Sequence, residues 1–354
     1  MHNLKMQEQN PKVSIIIVNF NNRDFLPPLL ESIHRSKYKN LEIIIVDCAS
    51  RDGSVEFIRQ HYPDVKLFTF KKDPGFSGAL HYGAKKASGD FILFLNTDIV
   101  LPPDLLNNMV KEMKTSGDYV VIAPIQIDWK GKAINRGVTI PWFSKKIFAI
   151  IKPFLQKRPY GTPMYQNIAC TMVSRKLYLR CPVNPYFRIY EDVEWGLRLH
   201  LFGIKLKVLE SQFVLHKIGG TFKLGTSKHA FIIGRNFIAW HFSIFKFRTL
   251  FLLSPLMIYF VFYYLAYFTY KRNSKIIAYL SGILDFFKNL KKWAKFRSYI
   301  QKNRKITDFE LLKIIGSSYI FSYVNFKKLK KIYEKRWEKE VNRLIQKYKL
   351  DRFP

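Results

Sequence analysis

The stretch Phe91–Ile99, FILFLNTDI, constrains the rest of the chain most. Five apolar residues run without a break into Asn96-Thr97-Asp98. An uninterrupted apolar run of this length suits a strand covered on both faces, the condition of a parallel strand in an α/β sheet. The polar residues then fall at its carboxyl end, where open α/β sheets bind ligands. An aspartate there can hold a divalent cation and, through it, a diphosphate. Asp is also a common strand terminator, so one such position does not decide between a ligand site and a turn.

Three earlier runs repeat the pattern. Val13–Asn19 (VSIIIVN), Leu41–Val46 (LEIIIV, ended by Asp47) and Val65–Phe70 read as buried strands. Between them, Phe25–Ser36 has helical apolar spacing, and Ser50-Arg51-Asp52-Gly53-Ser54 reads as a turn and helix cap. Lys72–Gly78 is a glycine-containing loop that opens a helix of small residues from Ala79 to Ala87. Four strands alternating with helices over roughly 85 residues make a βαβ series, hence a parallel sheet with right-handed crossovers. Asn19, Asp47 and Asp98 would then face one crevice.

The pattern weakens after that. Tyr119–Ala123 and Ile168–Val173 are expected strands, and Trp129–Pro163 is expected to be loops and short elements. Glu191-Asp192 leads into a helix over Val193–Phe202, stopped by Gly203. Two carboxylates at a helix start can cap it, or one can serve as a general base. Lys205–Leu209 is an expected strand closed by Val214-Leu215-His216, with Gly219-Gly220 as a loop. A neutral imidazole near Asp98 would complete a site for Mn2+ or Mg2+.

The charge balance asks for an anionic partner. Lys and Arg number 59 against 26 Asp and Glu, a net +33. Nucleic acid, phosphorylated substrates and an anionic bilayer all satisfy that demand. No recognised nucleic-acid motif is present, and ordered strand-end carboxylates suit that partner poorly. Three cysteines, Cys48, Cys170 and Cys181, have no metal spacing and fit a reduced compartment. The polar first 11 residues read as a disordered N-terminus rather than a signal peptide.

Composition shifts near residue 240. Thr249–Tyr270 holds 22 residues without a charge, long enough to span a bilayer. Residues 271–354 carry 23 Lys and Arg against 7 Asp and Glu, net +16. A single crossing would carry that charge to the far side, against the tendency of basic residues to stay cytoplasmic. Pro255 offers a bend. The expectation is a monotopic or peripheral protein on the cytoplasmic face of the membrane. From about Tyr323, apolar residues at steps of three and four (Phe326, Leu329, Tyr333, Trp337, Val341, Leu344, Tyr348) make an amphipathic helix, expected to lie on anionic headgroups.

Taken in order, VSIIIVNFNN, IIIVDCASRDGS, DPGFSGALHYG, FLNTDIVLPPDLL, YEDVEWGLRLHLFGIKL and VLHKIGGTF resemble the signature segments of family 2 glycosyltransferases, nearest to a rhamnosyltransferase-like branch. The resemblance implies an α/β, GT-A fold with a Rossmann-like, mostly parallel sheet over residues 12–240. A hydrophobic and basic helical region that associates with membrane follows over 241–354. It also implies residue roles. Asn19, Asp47, Ser50 and Asp52 match nucleotide-contacting segments, as do Gly75 and Phe76 of the glycine loop. Asn96-Thr97-Asp98 matches the D-x-D position with its first Asp replaced, leaving Asp98 on the cation. Asp192 matches the catalytic base with Glu191 in support, His216 a metal or diphosphate contact, and Arg235 a phosphate contact. The glycine loop lacks the family's asparagines. The implied activity is inverting, metal-dependent (Mg2+ or Mn2+) transfer from a nucleotide-diphosphate sugar to a hydroxyl of a lipid-linked glycan acceptor. A polyprenyl-phosphate sugar synthase is the alternative. A processive Q-x-x-R-W motif is absent from the sequence.

Overall fold

The computed structural model describes residues 10–129, 134–135, 168–188, 191–217, 226–270, 275–314 and 337–353. The four apolar runs form β1 (Val13–Asn19), β2 (Leu41–Asp47), β3 (Lys66–Thr69) and β4 (Phe91–Asn96), separated by α1 (Leu26–His34), α2 (Ser54–His61) and α3 (Phe76–Lys86). Their pairings are all parallel, in the order β3-β2-β1-β4. β1, β2 and β4 are buried on both faces because α1 packs on one side of the sheet and α3 on the other, whereas β3, expected as a buried strand, is the edge strand, with Lys66 and Thr69 exposed. Gly83 of α3 lies so close to the sheet that an added Cβ would sit 2.7 Å from Ile16 Cγ2.

The second half of the sheet is mixed. β5 (Ile99–Val100), α4 (Leu105–Ser116), β6 (Val120–Asp128), β7 (Ile134–Asn135), β8 (Cys170–Ser174), α5 (Arg175–Arg180), α6 (Glu191–Leu201) and β9 (Lys205–His216) follow. The order continues β4-β8-β6-β9-β5, with β7 beside β6. β8 runs antiparallel to both β4 and β6, β6 and β9 are parallel, and β5 is antiparallel to β9. The expected strands at 119–123 and 168–173 are present, the first extending to Asp128. The two pieces expected at 205–209 and 214–216 are one strand with an irregularity facing Pro124 and Ile125.

The C-terminal region is helical: α7 (Ser227–Ile244), α8 (Phe247–Tyr270), α9 (Lys275–Lys288), α10 (Leu290–Asn303) and α11 (Glu338–Lys347). The compositional shift near residue 240 falls inside α7. This helix packs on α6 through Ala239, Trp240 and Ile244, and on α9 through a backbone approach in which a Cβ on Gly282 would meet Phe231 O. α8 has a window long and apolar enough to cross a membrane, and none of that window is buried. One expectation for the C-terminus changes. Trp337, Val341, Leu344 and Tyr348 are buried against Ile125, Ile127, Val208, Phe213 and Leu215 of β6 and β9. The apolar side of α11 thus covers the sheet and is not open to headgroups. The face of β6 and β9 that carries these large apolar side chains needed a cover, and α11 supplies it. Phe326, Leu329, Tyr333, Ile189, Tyr190 and Gly219-Gly220 lie outside the described residues.

Candidate active site

The carboxyl ends of β1, β2 and β4 stand side by side, because Asn19 pairs with Asp47 in register and Val18 with Asn96. Asn19 Nδ2 donates to Asp47 Oδ2 (2.7 Å) and to Ser50 Oγ (3.1 Å). Asp47 Oδ1 accepts from the Ser50 amide (2.9 Å), and Ser50 Oγ from the Asn21 amide (2.9 Å). The loops leaving these strands are held left-handed at Asn21 (φ 52°) and Ala49 (φ 65°). A left-handed alanine is uncommon, and residues held in sparse regions cluster at functional sites. Asp52 is drawn into the same loops. Its oxygens accept from the Arg23 amide (2.8 Å) and from the amide and hydroxyl of Ser54 (3.1 and 2.5 Å).

Asp98 and His216 are brought together from strands far apart in sequence. Ile99 pairs with His216, and the Lys217 amide donates to Asp98 O (3.1 Å). His216 Nε2 lies 3.3 Å from Asp98 Oδ1, and both residues are buried. His216 Nδ1 is 2.9 Å from Gln126 Oε1. Gln126 Oε1 can only accept, so Nδ1 carries the proton and donates. Nε2 then presents either a lone pair or a second proton to the carboxylate. Asp98 Oδ1 has no hydrogen bond, nor has Asn96 Oδ1 or Asn19 Oδ1, and all three atoms are sealed from solvent.

A lone pair facing a carboxylate oxygen at this distance is repulsive unless a cation lies between them. A donor pair of one carboxylate and one imidazole, its far nitrogen fixed by a second residue, suits Mn2+ or Mg2+. Among the described residues no group of three or more His, Cys, Asp or Glu could hold a metal alone. Mg2+ is commonly held by one or two protein ligands plus substrate phosphates and water, so the pair fits a cation that arrives with a diphosphate.

The second pair of carboxylates sits on α6. Residues 193–201 are all buried, which fixes the helix, and Trp195 Nε1 anchors it to Cys181 O (2.7 Å). Glu191 and Asp192 begin the helix itself rather than precede it. Both are half-buried, and Glu191 Oε2 is sealed without a hydrogen bond. Burial pushes both pKa values above the ordinary carboxylate range, and the Asp192 charge pushes Glu191 further. Glu194 turns inward, with Oε1 2.6 Å from Arg198 Nε.

Gly75 (φ 79°) opens α3, and a Cβ there would lie 3.1 Å from Arg188 Nε, so the glycine admits the arginine. Arg188 Nη1 is 3.4 Å from Asp73 Oδ2. Phe76 packs into the core on the α3 side of the sheet. Arg235 lies on α7. It donates to Asn236 Oδ1 (3.0 Å) and to Tyr186 O (2.9 Å), away from the strand ends. Sequence reading passed over Gln126 and Arg188. The signal for Gln126 was a lone amide inside the apolar run VVIAPIQID. Nothing local marked Arg188.

Residues 14–180 match the family model described as glycosyl transferase family 2. This segment belongs to that family. Among similar proteins is a dolichol-phosphate mannosyltransferase of Pyrococcus furiosus, 27% identical over 200 residues, covering 55% of this chain and 51% of that protein. Another is a GalNAc(5)-diNAcBac-PP-undecaprenol beta-1,3-glucosyltransferase of Campylobacter jejuni, 24% identical over 231 residues, covering 58% and 74%. The chain thus spans about half the length of the first relative. A solved mannosyltransferase of Pyrobaculum calidifontis in complex with GDP-Man and Mn2+ overlays with a TM-score of 0.47 at 15% identity, covering 92% of each chain. The strand-end residues lie inside the matched segment, and Glu191, Asp192, His216 and Arg235 lie beyond it.

Proposed function

We propose that the chain is an inverting glycosyltransferase that moves a sugar from a nucleotide-diphosphate donor to a hydroxyl of a lipid-linked glycan, on the cytoplasmic face of a membrane. The observation that carries this reading is the meeting of Asp98 and His216 at 3.3 Å beside the strand ends. Asn19, Asp47 and Ser50 line the place for the nucleotide. Asp98 and His216 would hold Mg2+ or Mn2+, which when bound would neutralise charge on the departing diphosphate. Asp192 takes the proton of the acceptor hydroxyl as that oxygen attacks the anomeric carbon from the side opposite the diphosphate. A carboxylate with a raised pKa is a stronger base for that step, provided it is ionised. Glu191, kept protonated by burial and by the Asp192 charge, supports Asp192 as its neutral neighbour.

A polyprenyl-phosphate sugar synthase is the second reading, favoured by the similarity to a dolichol-phosphate mannosyltransferase. A phosphate acceptor is already ionised and needs no strong base, so the half-buried carboxylate pair on α6 speaks for the hydroxyl. Membrane association is supported by the exposed apolar length of α8, with Phe251 79% and Phe262 64% exposed. Failure to cosediment with anionic vesicles would refute that part.

The test is a panel of nucleotide-diphosphate sugars with Mn2+, read by thermal stabilisation and by release of nucleotide diphosphate. One donor class should raise Tm with Mn2+, and EDTA should abolish the shift. Stabilisation by none of them, or a shift indifferent to EDTA, sinks the metal-dependent reading.

A further inference from the structure

Residues 186–188 lead towards α6 and are tied down at three points. Ser77 Oγ of α3 donates to Phe187 O (2.8 Å), Arg188 pairs with Asp73 of the glycine loop, and Arg235 of α7 donates to Tyr186 O. The segment therefore joins the donor side of the molecule to the helical layer of α7, α9 and α10. On its outer side Lys292 of α10 stands over the Tyr186 ring, with Nζ 2.9 Å from the centroid.

The charges here do not balance. Lys292 makes no ion pair among the described residues, and Arg235 faces one carboxylate, Asp285 of α9, at 3.8 Å. Burial, then the Arg235 charge, depresses the Lys292 ammonium below the ordinary lysine range, against the pull of Asp285. Burial also lowers Arg235, and Arg188 adds to the repulsion. Three cations thus crowd one short segment, and a half-buried ammonium is left without its own counter-ion. An anion of charge two or more would relieve that crowding. Arg and Lys together are the usual phosphate ligands. On α9, the helix that carries Asp285, Leu284 is 57% and Phe287 58% exposed, so the helix that meets Arg235 also presents an apolar surface. The ligand these two surfaces describe carries a phosphate and a hydrocarbon chain.

We propose that Lys292, Arg235 and Tyr186 form a binding site for the phosphate or diphosphate of a lipid-anchored substrate, whose chain runs over Leu284 and Phe287. That the bound lipid is the sugar acceptor rests on the transferase reading; the site itself does not.

The experiment uses the full chain and phosphatidylcholine vesicles carrying either a polyprenyl diphosphate or phosphatidylglycerol at matched surface charge. The polyprenyl diphosphate vesicles should bind about tenfold more tightly, about 1.4 kcal/mol. Free pyrophosphate should compete. Lys292→Gln should erase the preference and Lys292→Arg should keep it. If Lys292→Gln misfolds, Lys292→Met retains the stem over Tyr186 and gives the same reading. Equal binding to both vesicles, or a preference that survives loss of the ammonium, overturns the proposal. Nucleotide-sugar stabilisation is read on the same preparations. Its absence would fail the transferase reading while leaving the vesicle result intact.

Discussion

The two ends of the same sheet treat buried polar groups in opposite ways. At the amino ends of the strands, Glu42 is surrounded. Ser14 Oγ (2.5 Å), Lys66 Nζ (2.7 Å), and the amide and hydroxyl of Ser88 (2.7 and 2.9 Å) all donate to it. Burial opposes its ionisation, but these donors outweigh burial and hold its pKa at about 2. At the carboxyl ends, Asn19, Asn96 and Asp98 each keep a sealed oxygen without a hydrogen bond, and Glu191 does so on α6. Buried polar atoms in native proteins are almost always satisfied. Three such exceptions clustered at the carboxyl ends, against a fully partnered Glu42 at the amino ends, mark the end that awaits a ligand. Polar character alone does not distinguish them.

The sharpest way to break this contrast is Asp98→Ala. It should abolish transfer and weaken Mn2+-dependent nucleotide-diphosphate binding in a calorimetric titration. His216→Ala should cost less, and Gln126→Leu should cost about 10–100-fold in metal affinity, the usual effect of a residue that only orients a ligand. Full activity of Asp98→Ala in EDTA would end the cation mechanism. Next comes Asp192→Asn, which should cut kcat by roughly 10²–10⁴-fold with donor binding intact. Glu191→Gln should cost less; the reverse ranking would reassign the base.

The smallest effects concern stability, and their signs differ. Glu42 has a lowered folded pKa, so its contribution is complete above the unfolded value of 4.5 and is lost as pH falls towards about 2. Glu42→Gln should therefore lose about 1–3 kcal/mol near pH 7 and much less in acid. Glu191 and Asp192 have raised pKa values, so they favour the fold while protonated and cost stability as pH climbs past the ordinary carboxylate range. The double variant Glu191→Gln, Asp192→Asn should have a higher Tm than the parent at about pH 8 and an equal one at about pH 4. The acid limb of kcat should likewise fall above the ordinary carboxylate range. Matching signs at the two ends would erase the distinction between a structural and a poised carboxylate.

Sequence reading reached these features unevenly, for physical reasons. β1, β2 and β4 were legible because strands buried on both faces leave nearly continuous apolar runs, and their polar ends could be named to the residue. The pairing of Asp98 with His216 could be raised as a possibility from residue type and was implied by the family resemblance, but local pattern could not establish it, since their contact depends on β5 meeting β9 across more than a hundred residues. α4 went unread, its apolar face interleaved with asparagines and lysines. The amphipathic stripe on α11 was read correctly as a stripe, but periodicity says only that one face seeks cover. Whether a bilayer or a sheet supplies that cover is settled by tertiary packing.

That cover also has a consequence for the order of synthesis. Val208, Phe213 and Leu215 of β9 emerge from the ribosome well before the helix that shields them, α11, whose contacts begin at Trp337. The gap from His216 to Trp337 is about 120 residues, or roughly 6–24 s of elongation at 5–20 residues per second. For that interval the nascent sheet has a naked aliphatic side. A cell making this protein must keep that side from other nascent chains, so slowing translation between β9 and α11 should increase chaperone engagement and aggregation.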